Sequence, residues 1–306
     1  MFLTKSSSME KFYSTLPENL KKIIDQARAI ETASTETSKM SIALIDATSL
    51  KDSDEPLIGA ETKTEIEDLC QLAKIYNIHT AAVCVYQNHI ETAKNALKGT
   101  DIKLAVVNNF PHGIFPAETA AADARKAIEA GADEIDTVID YAALKLGNST
   151  EVRRKLNEVS KVCKEKGAKL KIILKASTYE SYNDLYQAAV IAIECGADFV
   201  KTCTGKKPLP GYGSGEPDAS DLLTAATVMQ AVADNVKKNI GVKISGGVKT
   251  PIDCEQMRFL SDKILGENYF KDKNLFRFGA SSLLKNLIAH VSGNKVQTPK
   301  SAPNSY

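Results

Sequence analysis

Eight short apolar segments, separated by longer amphipathic ones, restrict the folds open to this chain. Seven or eight residues, mostly apolar, are typical of a parallel β-strand that is covered on both faces. Several of these segments are followed by stretches with helical periodicity, such as residues 149–166 and 182–195. The predicted strands are residues 41–48, 80–86, 103–109, 134–140, 170–176, 198–204, 241–247 and 274–280.

Eight strands that alternate with helices over about 250 residues predict an α/β fold, a (β/α)8 TIM barrel. A doubly wound sheet is the alternative, and a GxGxxG motif after the first strand would favour it. The stretch that follows the first strand, IDATSLKDSD at residues 45–54, contains no such motif. The barrel is therefore the predicted fold.

Two segments without strands are predicted to flank the barrel. Residues 1–40 form an N-terminal extension with one helix, because apolar residues from Leu16 onward recur at helical spacing. The barrel domain is expected to span residues 41–290. Residues 291–306 are polar, contain two prolines and lack apolar periodicity, so a flexible C-terminal tail is expected there.

The composition argues against several classes of function. The 306 residues carry a formal net charge of +1, which provides no broad basic field for nucleic acid. The six cysteines include no CxxC pair, which argues against a zinc site and a disulfide framework and suits a reducing compartment. No run of 18 apolar residues occurs and the start of the chain lacks a signal-peptide core, so we expect no membrane partner and a cytoplasmic location.

Among the charged residues within the predicted strands, four are candidates for function: Asp46, Asp136, Lys201 and Lys243. Each alone could be a paired core charge, but buried ion pairs give no stability advantage over well-packed apolar side chains. In TIM barrels the chemistry lies at the carboxyl ends of the strands. Together the four residues predict a functional cluster inside the barrel.

Lys201 is the central candidate, because it follows Phe199 and Val200 and stands just before a loop that contains glycine. A lysine in a dry pocket, or beside another cation, loses affinity for its proton and becomes a nucleophilic amine that can form a Schiff base. The alternative is a lysine at a strand end that reaches solvent. Lys243 would lower the pKa of Lys201 if it lies within a few ångströms, and Asp136 could transfer protons through a water.

Asp46, from the first strand, is expected to hold either Lys243 or a substrate hydroxyl. The loops after strands six, seven and eight are predicted to bind phosphate, since glycine lets the backbone N–H groups approach an anion and serine adds a hydroxyl donor. The predicted phosphate- and substrate-binding residues are Thr204, Gly205, Lys206, Gly246, Gly247, Gly279, Ser281 and Ser282.

Several motifs, in the same order along the chain, resemble the deoxyribose-phosphate aldolase family. The similarity runs from about Ile42 through Leu284 and includes the last two residues. The matching stretches are EIDTVIDYAALKLGN (134–148), VKTCTGK (200–206), VKISGGVKT (242–250), FRFGASSLL (276–284) and the final Ser305-Tyr306. Cys203 departs from the family pattern, in which serine is common at that position.

The resemblance implies a class I aldolase that reversibly cleaves 2-deoxy-D-ribose 5-phosphate to D-glyceraldehyde 3-phosphate and acetaldehyde, without a metal or organic cofactor. By motif position, Lys201 would be the Schiff-base lysine, Lys243 its neighbour and Asp136 the acidic partner in proton transfer. A C-terminal tyrosine recurs in the family, which implies that Tyr306 enters the active site. The expected partners are a phosphosugar and an aldehyde, with a homodimer as the candidate assembly.

Two other functions fit the same fold. A phosphosugar isomerase or epimerase would use a carboxylate base and no imine. A catalytically silent phosphate-binding barrel would suit a chain that lacks one of the two lysines or the terminal tyrosine. All three residues are present here.

Overall fold

A computed structural model describes residues 5–51, 60–74, 78–235 and 239–293. Its eight parallel strands pair in chain order and close into a barrel, which confirms the predicted (β/α)8 fold. The strands are β1 (Ile45–Thr48), β2 (Ala82–Val85), β3 (Lys103–Asn108), β4 (Glu134–Val138), β5 (Lys169–Ile173), β6 (Phe199–Lys201), β7 (Gly241–Ser245) and β8 (Phe276–Ala280).

Helices surround the barrel and connect its strands. The α-helices of the described residues are α1 (Lys5–Ser14), α2 (Glu18–Arg28), α3 (Thr35–Ala43), α4 (Lys63–Leu72), α5 (Ile90–Ala96), α6 (Ala117–Ala130), α7 (Tyr141–Lys145), α8 (Ser149–Lys166), α9 (Tyr182–Glu194), α10 (Leu222–Asp234), α11 (Pro251–Ile264) and α12 (Leu283–Val291). Within the described ranges, no helix is both long enough and apolar enough to cross a membrane.

The N-terminal segment differs from the expectation of one helix before residue 41. It contains α1 and α2, and α3 continues past that position to Ala43. The Ser34 side chain accepts a hydrogen bond from the Thr37 N–H and so begins α3 at a stretch that reads as a polar linker. Residues 41–43 are consequently helical, and β1 begins only at Ile45.

Helix α3 links the two ends of the barrel sequence. It packs against α11 and α12, and the Ser38 hydroxyl lies 2.9 Å from His290 Nδ1 on α12. Helix α12 directly follows β8, which pairs with β1. The segment before β1 is thus part of the layer that covers the seam where the barrel closes.

Apolar side chains form two separate clusters. The larger lies between the strands and the surrounding helices. The smaller is a group of nine residues, most of them from β2, β3 and β4 and the loops that follow them: Leu50, Ala82, Cys84, Tyr86, Ala105, Val107, Phe110, Val138 and Ile173. Charged side chains occupy many of the other interior positions, and they form the candidate site.

Candidate active site

Seven charged side chains are buried in the barrel interior, each at most 3% exposed. Three are acidic and four are basic, and contacts between acidic and basic groups link all of them into one network. Its members are Asp46, Glu134, Asp136, Lys171, Lys201, Lys243 and Arg277. The four candidates chosen from the predicted strands are all in this network.

Asp136 on β4 is contacted by three lysines. Its Oδ2 accepts hydrogen bonds from Lys201 Nζ at 2.9 Å and from Lys243 Nζ at 2.8 Å, and its Oδ1 accepts one from Lys171 Nζ at 2.8 Å. Because one carboxylate oxygen lies within 3 Å of both Nζ atoms, it holds Lys201 and Lys243 next to each other.

Asp46 on β1 is the second carboxylate that contacts Lys243. Its Oδ2 lies 2.5 Å from Lys243 Nζ and 3.1 Å from Lys171 Nζ, and its Oδ1 accepts from Arg277 at 2.5 Å. Of the two alternatives for Asp46, the structure shows a direct contact with Lys243.

Glu134 extends the network toward the amino ends of the strands. Its carboxylate lies 2.5 Å from Lys171 Nζ and 3.2 Å from an Arg277 nitrogen. The Arg277 guanidinium in turn lies 5.3 Å from the centre of the Phe199 ring, in cation–π range. The Phe199 ring therefore packs against the charged network on the side of Arg277.

Strand register explains why these side chains meet. Lys201, Lys243 and Arg277 occupy paired positions on β6, β7 and β8, and Asp136 is paired with Lys171 across β4 and β5. Gly279 on β8 leaves room for Lys243, since a Cβ at that position would lie 3.0 Å from Lys243 Cε. Two neighbouring strands thus supply the two lysines at one level of the barrel.

The two lysines differ in the direction of their pKa shifts. Burial lowers the pKa of Lys201, and the nearby Lys243 ammonium lowers it further, although Asp136 opposes both. Burial alone would lower the pKa of Lys243 as well, but its two carboxylate partners outweigh burial and raise it. Lys201 is therefore the more easily deprotonated of the two lysines, and the ammonium form of Lys243 is stabilised.

Both carboxylates that contact Lys243 are held in the ionised state. Burial would raise the pKa of Asp136, but Lys171, Lys201 and Lys243 overcome it and hold that pKa well below its usual range. The pKa of Asp46 is lowered in the same way, with Arg277 as its third cation. Neither carboxylate is a strong base in this arrangement.

A pocket opens above Lys201 at the carboxyl ends of the strands. Five of the eight predicted phosphate-binding residues line it, namely Thr204, Gly205, Gly246, Gly279 and Ser281. Its remaining lining residues are Thr48, Leu50, Lys201, Cys203, Ser245 and Ala280. Lys201 thus has its amine in the charged network and also borders the pocket.

The other three predicted phosphate-binding residues lie beside this pocket rather than on its lining. Gly247 has a φ of +77° and a Cβ there would lie 2.0 Å from the Ser220 carbonyl oxygen, so a glycine is required. Lys206 is buried, and Ser282 is exposed just before the start of α12. Tyr306, the remaining predicted site residue, lies outside the described residues.

Sequence reasoning missed Lys171, Glu134 and Arg277, which complete the network. A usable signal was present, because side chains two apart on a strand share a face. Glu134 is two residues before Asp136, so both point into the barrel. Lys171 and Arg277 also lie within predicted strands, residues 170–176 and 274–280, so the signal of a charge in an apolar run was available for them as well.

Comparison with known proteins identifies the family. The model of the DeoC/LacD family aldolases matches residues 40–284. A Coccidioides immitis protein provisionally assigned as a deoxyribose-phosphate aldolase is 26% identical, with a TM-score of 0.67 over 90% of this chain and 99% of its own.

Two further solved structures show the same fold at lower identity. A provisionally assigned deoxyribose-phosphate aldolase from Toxoplasma gondii ME49 is 23% identical, with a TM-score of 0.72 over 85% of this chain and 98% of its own. The tetrameric deoxyribose phosphate aldolase from Aeropyrum pernix is 23% identical, with a TM-score of 0.65 over 88% of this chain and 97% of its own. Since the family match extends over most of the chain, this protein belongs to the DeoC/LacD family of aldolases and is a carbon–carbon lyase.

Proposed function

We propose that this aldolase reversibly cleaves 2-deoxy-D-ribose 5-phosphate to D-glyceraldehyde 3-phosphate and acetaldehyde through an imine on Lys201. One observation carries the proposal: Lys201 borders the pocket while its amine is buried within hydrogen-bond distance of Asp136, which also binds Lys243. The names of the Coccidioides immitis and Toxoplasma gondii proteins support the choice of substrate.

Charge balance in the interior supports a neutral Lys201. The network contains three carboxylates and, apart from Lys201, three cations: Lys171, Lys243 and Arg277. A fourth positive charge would leave the buried network with a net charge, which is unfavourable away from water. The lowered pKa of Lys201 and the raised pKa values of Lys171 and Lys243 agree with this distribution of protons.

The reaction follows from a neutral amine at this position. Lys201 Nζ adds to the C1 carbonyl of the open-chain sugar to give a neutral carbinolamine. Its hydroxyl group then leaves as water with a proton from the Lys243 ammonium, which gives an iminium ion. Removal of the C3 hydroxyl proton then breaks the C2–C3 bond, and its electrons form an enamine between C1 and C2. D-glyceraldehyde 3-phosphate leaves, C2 takes up a proton, and water hydrolyses the iminium to release acetaldehyde and the free amine.

The neighbouring residues have separate roles in this proposal. The Lys243 ammonium disfavours a second positive charge on Lys201 and can donate a proton during dehydration of the carbinolamine. Asp136 positions both lysines and can pass a proton through a bound water. Asp46 holds Lys243 in place and keeps it charged.

The mouth of the pocket is the proposed phosphate site. Thr204, Gly205, Gly246, Gly279 and Ser281 line it, and Lys206, Gly247 and Ser282 are their chain neighbours. Backbone N–H groups at glycine turns and hydroxyl donors suit a phosphate dianion. Its anchoring there would place C1 of the sugar toward Lys201.

We also propose that the reaction needs no metal or organic cofactor, that the partners are the two aldehydes and the phosphosugar, and that the protein is cytoplasmic. A homodimer is the proposed assembly, and the Aeropyrum pernix protein is a tetramer. Sedimentation of the purified protein would distinguish these assemblies.

Tyr306 is proposed to protonate C2 of the enamine. Changing Tyr306 to Phe should slow deuterium exchange at the acetaldehyde methyl group by about a hundredfold, within the range of general acid–base catalysis, without preventing imine formation. Exchange at the parental rate would assign the proton transfer to the Asp136 and Lys243 pair.

Borohydride trapping tests the proposed function directly. Reduction of the protein in the presence of acetaldehyde should leave a two-carbon adduct on the peptide that contains Lys201, as detected by mass spectrometry. The Lys201→Leu variant is the matched control and should not be modified in this region. An unmodified parent protein would contradict the imine.

A phosphosugar isomerase or epimerase remains the alternative outcome of that experiment. It would need a carboxylate base, and each of the three interior carboxylates in the described chain is ion-paired. Turnover without an adduct on Lys201 would favour it.

A further inference from the structure

A fully buried lysine that is not part of the charged network, Lys175, lies beside the turn at residues 204–206. Lys175 is fully buried and donates hydrogen bonds to Thr204 Oγ1 at 2.8 Å and to the Lys206 carbonyl at 2.7 Å. Both of these acceptors are neutral oxygens. Its backbone has a φ of 59° and a ψ of 55°, a left-handed conformation that is uncommon for a residue other than glycine. Such strain is maintained only where the surroundings fix the residue.

A buried carboxylate holds the same turn from another direction. Asp218 Oδ2 accepts a hydrogen bond from the Thr204 N–H at 2.9 Å, and the Asp218 N–H donates to the Lys206 carbonyl at 3.0 Å. Its Oδ1 accepts from the N–H of Ser177 at 3.1 Å and from the Ser177 hydroxyl at 2.5 Å. The turn at residues 204–206 is thus attached both to the loop after β5 and to the end of its own long loop.

The long loop that contains this turn also contacts Tyr141. It connects β6 to α10, and its Leu209 N–H donates to the Tyr141 hydroxyl at 2.9 Å. Tyr212 packs edge-on against Tyr141, with ring centres 5.9 Å apart, and Lys175 Nζ lies 5.8 Å from the Tyr141 ring centre. Loops of this length in compact domains are usually functional, and this one is fixed at three points.

We propose that Lys175 and Asp218 are positioning residues that shape the 204–206 turn to bind the substrate phosphate. They act through Thr204 and Gly205, which line the pocket, since neither Lys175 nor Asp218 does. The inference rests on the proposed function and adds to it the residues that determine the preference for a phosphorylated substrate. A turn that is already ordered needs no reorganisation when the anion binds.

Two variants with opposite charge changes separate positioning from simple electrostatics. Lys175→Met keeps the length of the side chain and removes a positive charge, whereas Asp218→Asn keeps the shape and removes a negative charge. Positioning predicts that both weaken phosphate binding, by about tenfold, because each removes charge-assisted hydrogen bonds to the turn. Electrostatics alone predicts that Asp218→Asn strengthens phosphate binding, because the variant removes a negative charge.

Lys145→Met is the matched control. Lys145 is an exposed lysine near Tyr212 that donates to the Thr178 carbonyl, and among the described residues it makes no hydrogen bond to the 204–206 turn. This variant should bind phosphate as the parent protein does. A comparable loss in the control would show that any disturbance of the loops is enough and would overturn the specific role.

Two measurements are needed. The first is binding of inorganic phosphate to the full-length protein by calorimetry, which does not depend on catalysis. The second is the kinetics of cleavage: KM for 2-deoxyribose 5-phosphate should rise about tenfold with little change in kcat, while kcat/KM for unphosphorylated 2-deoxyribose stays within about twofold. Equal losses on both substrates would overturn the proposal.

The outcomes distinguish this inference from the proposed aldol reaction. Loss of phosphate binding in both variants, in a protein that forms no imine with acetaldehyde, would support the positioning role and contradict the aldolase chemistry. An imine that still forms with acetaldehyde, together with unchanged phosphate binding in both variants, would support the aldolase chemistry and contradict the positioning role. If Lys175→Met does not fold, Asp218→Asn decides, since unchanged or stronger phosphate binding in that variant contradicts positioning.

Discussion

The barrel contains two groups of buried charges that are organised in different ways. In the interior network every lysine contacts a carboxylate, and Asp136 is shared by three of them. At the mouth, both hydrogen bonds of Lys175 go to neutral oxygens of the 204–206 turn. The comparison teaches that paired charges can set a protonation state, whereas a lysine bound to neutral acceptors can set the shape of a loop.

Lys201→Leu is expected to have the largest effect, and it tests the interior. Turnover should fall by at least about 10⁴-fold on phosphorylated and unphosphorylated substrates alike, because the residue that forms the covalent bond is missing. Thermal unfolding should change little, since Asp136 keeps Lys171 and Lys243 as partners and a neutral lysine contributes no charge to the network. Normal turnover would end the imine hypothesis, and a large loss of stability would indicate that Lys201 is charged.

Ser281→Asp tests the mouth and should discriminate between substrates. A carboxylate on the pocket lining would repel the phosphate, so kcat/KM for 2-deoxyribose 5-phosphate should fall by about a hundredfold. Cleavage of unphosphorylated 2-deoxyribose should change by only about twofold. The control is Ser281→Asn, because asparagine has nearly the same size as aspartate but carries no charge. If both substrates suffer equally, the phosphate binds elsewhere.

Lys243→Leu should raise the pKa of Lys201. The variant removes the neighbouring ammonium and leaves three carboxylates with two other cations, so a charged Lys201 becomes favourable. The active form is the neutral amine, and activity rises with pH through this pKa. The acidic limb of the kcat/KM profile should therefore move to higher pH by about one unit or more, which is about a tenfold loss on that limb.

Lys243→Arg keeps the charge and serves as the control for that measurement. Its acidic limb should stay close to the parental position. If the acidic limb of the kcat/KM profile also stays in place in Lys243→Leu, then Lys243 does not change the proton affinity of Lys201. Its role would then be to position the substrate.

Glu134→Gln should produce the smallest shift and the opposite sign. Removing the Glu134 carboxylate leaves the network with an excess of positive charge, so protonation of Lys201 becomes less favourable. The acidic limb should move to lower pH by less than about one unit, since Glu134 contacts Lys171 and Arg277 rather than Lys201. A shift to higher pH would contradict the charge balance.

The sequence predicted the strands well, because each one is buried on both faces and reads as a continuous apolar run. All eight appear in the structure, with ends that differ by a few residues. Helix α3, by contrast, was not predicted. Its serines and threonines resemble a linker, and its burial depends on α11 and α12. Propensity cannot reveal a helix whose stability comes from distant partners.

The candidate site was predictable where a charge stands out from its own strand. Asp136 and Lys201 interrupt apolar runs, and the interruption is visible in the sequence. Lys171 and Arg277 interrupt apolar runs in the same way, but the residues they contact follow from strand register. The hydrogen bonds of Lys175 depend on its own left-handed backbone conformation after β5. Those features depend on tertiary structure, which one strand alone does not encode.

Helix α3 also changes where the catalytic domain can be separated from what precedes it. A fragment that begins at residue 41, as the strand pattern suggests, would lack most of this helix and the contact between Ser38 and His290. The outer layer at the β1–β8 seam would then be incomplete. A boundary ahead of Ser34 would preserve the capped helix, so fusion proteins and minimal fragments of this enzyme should be designed to begin there or earlier.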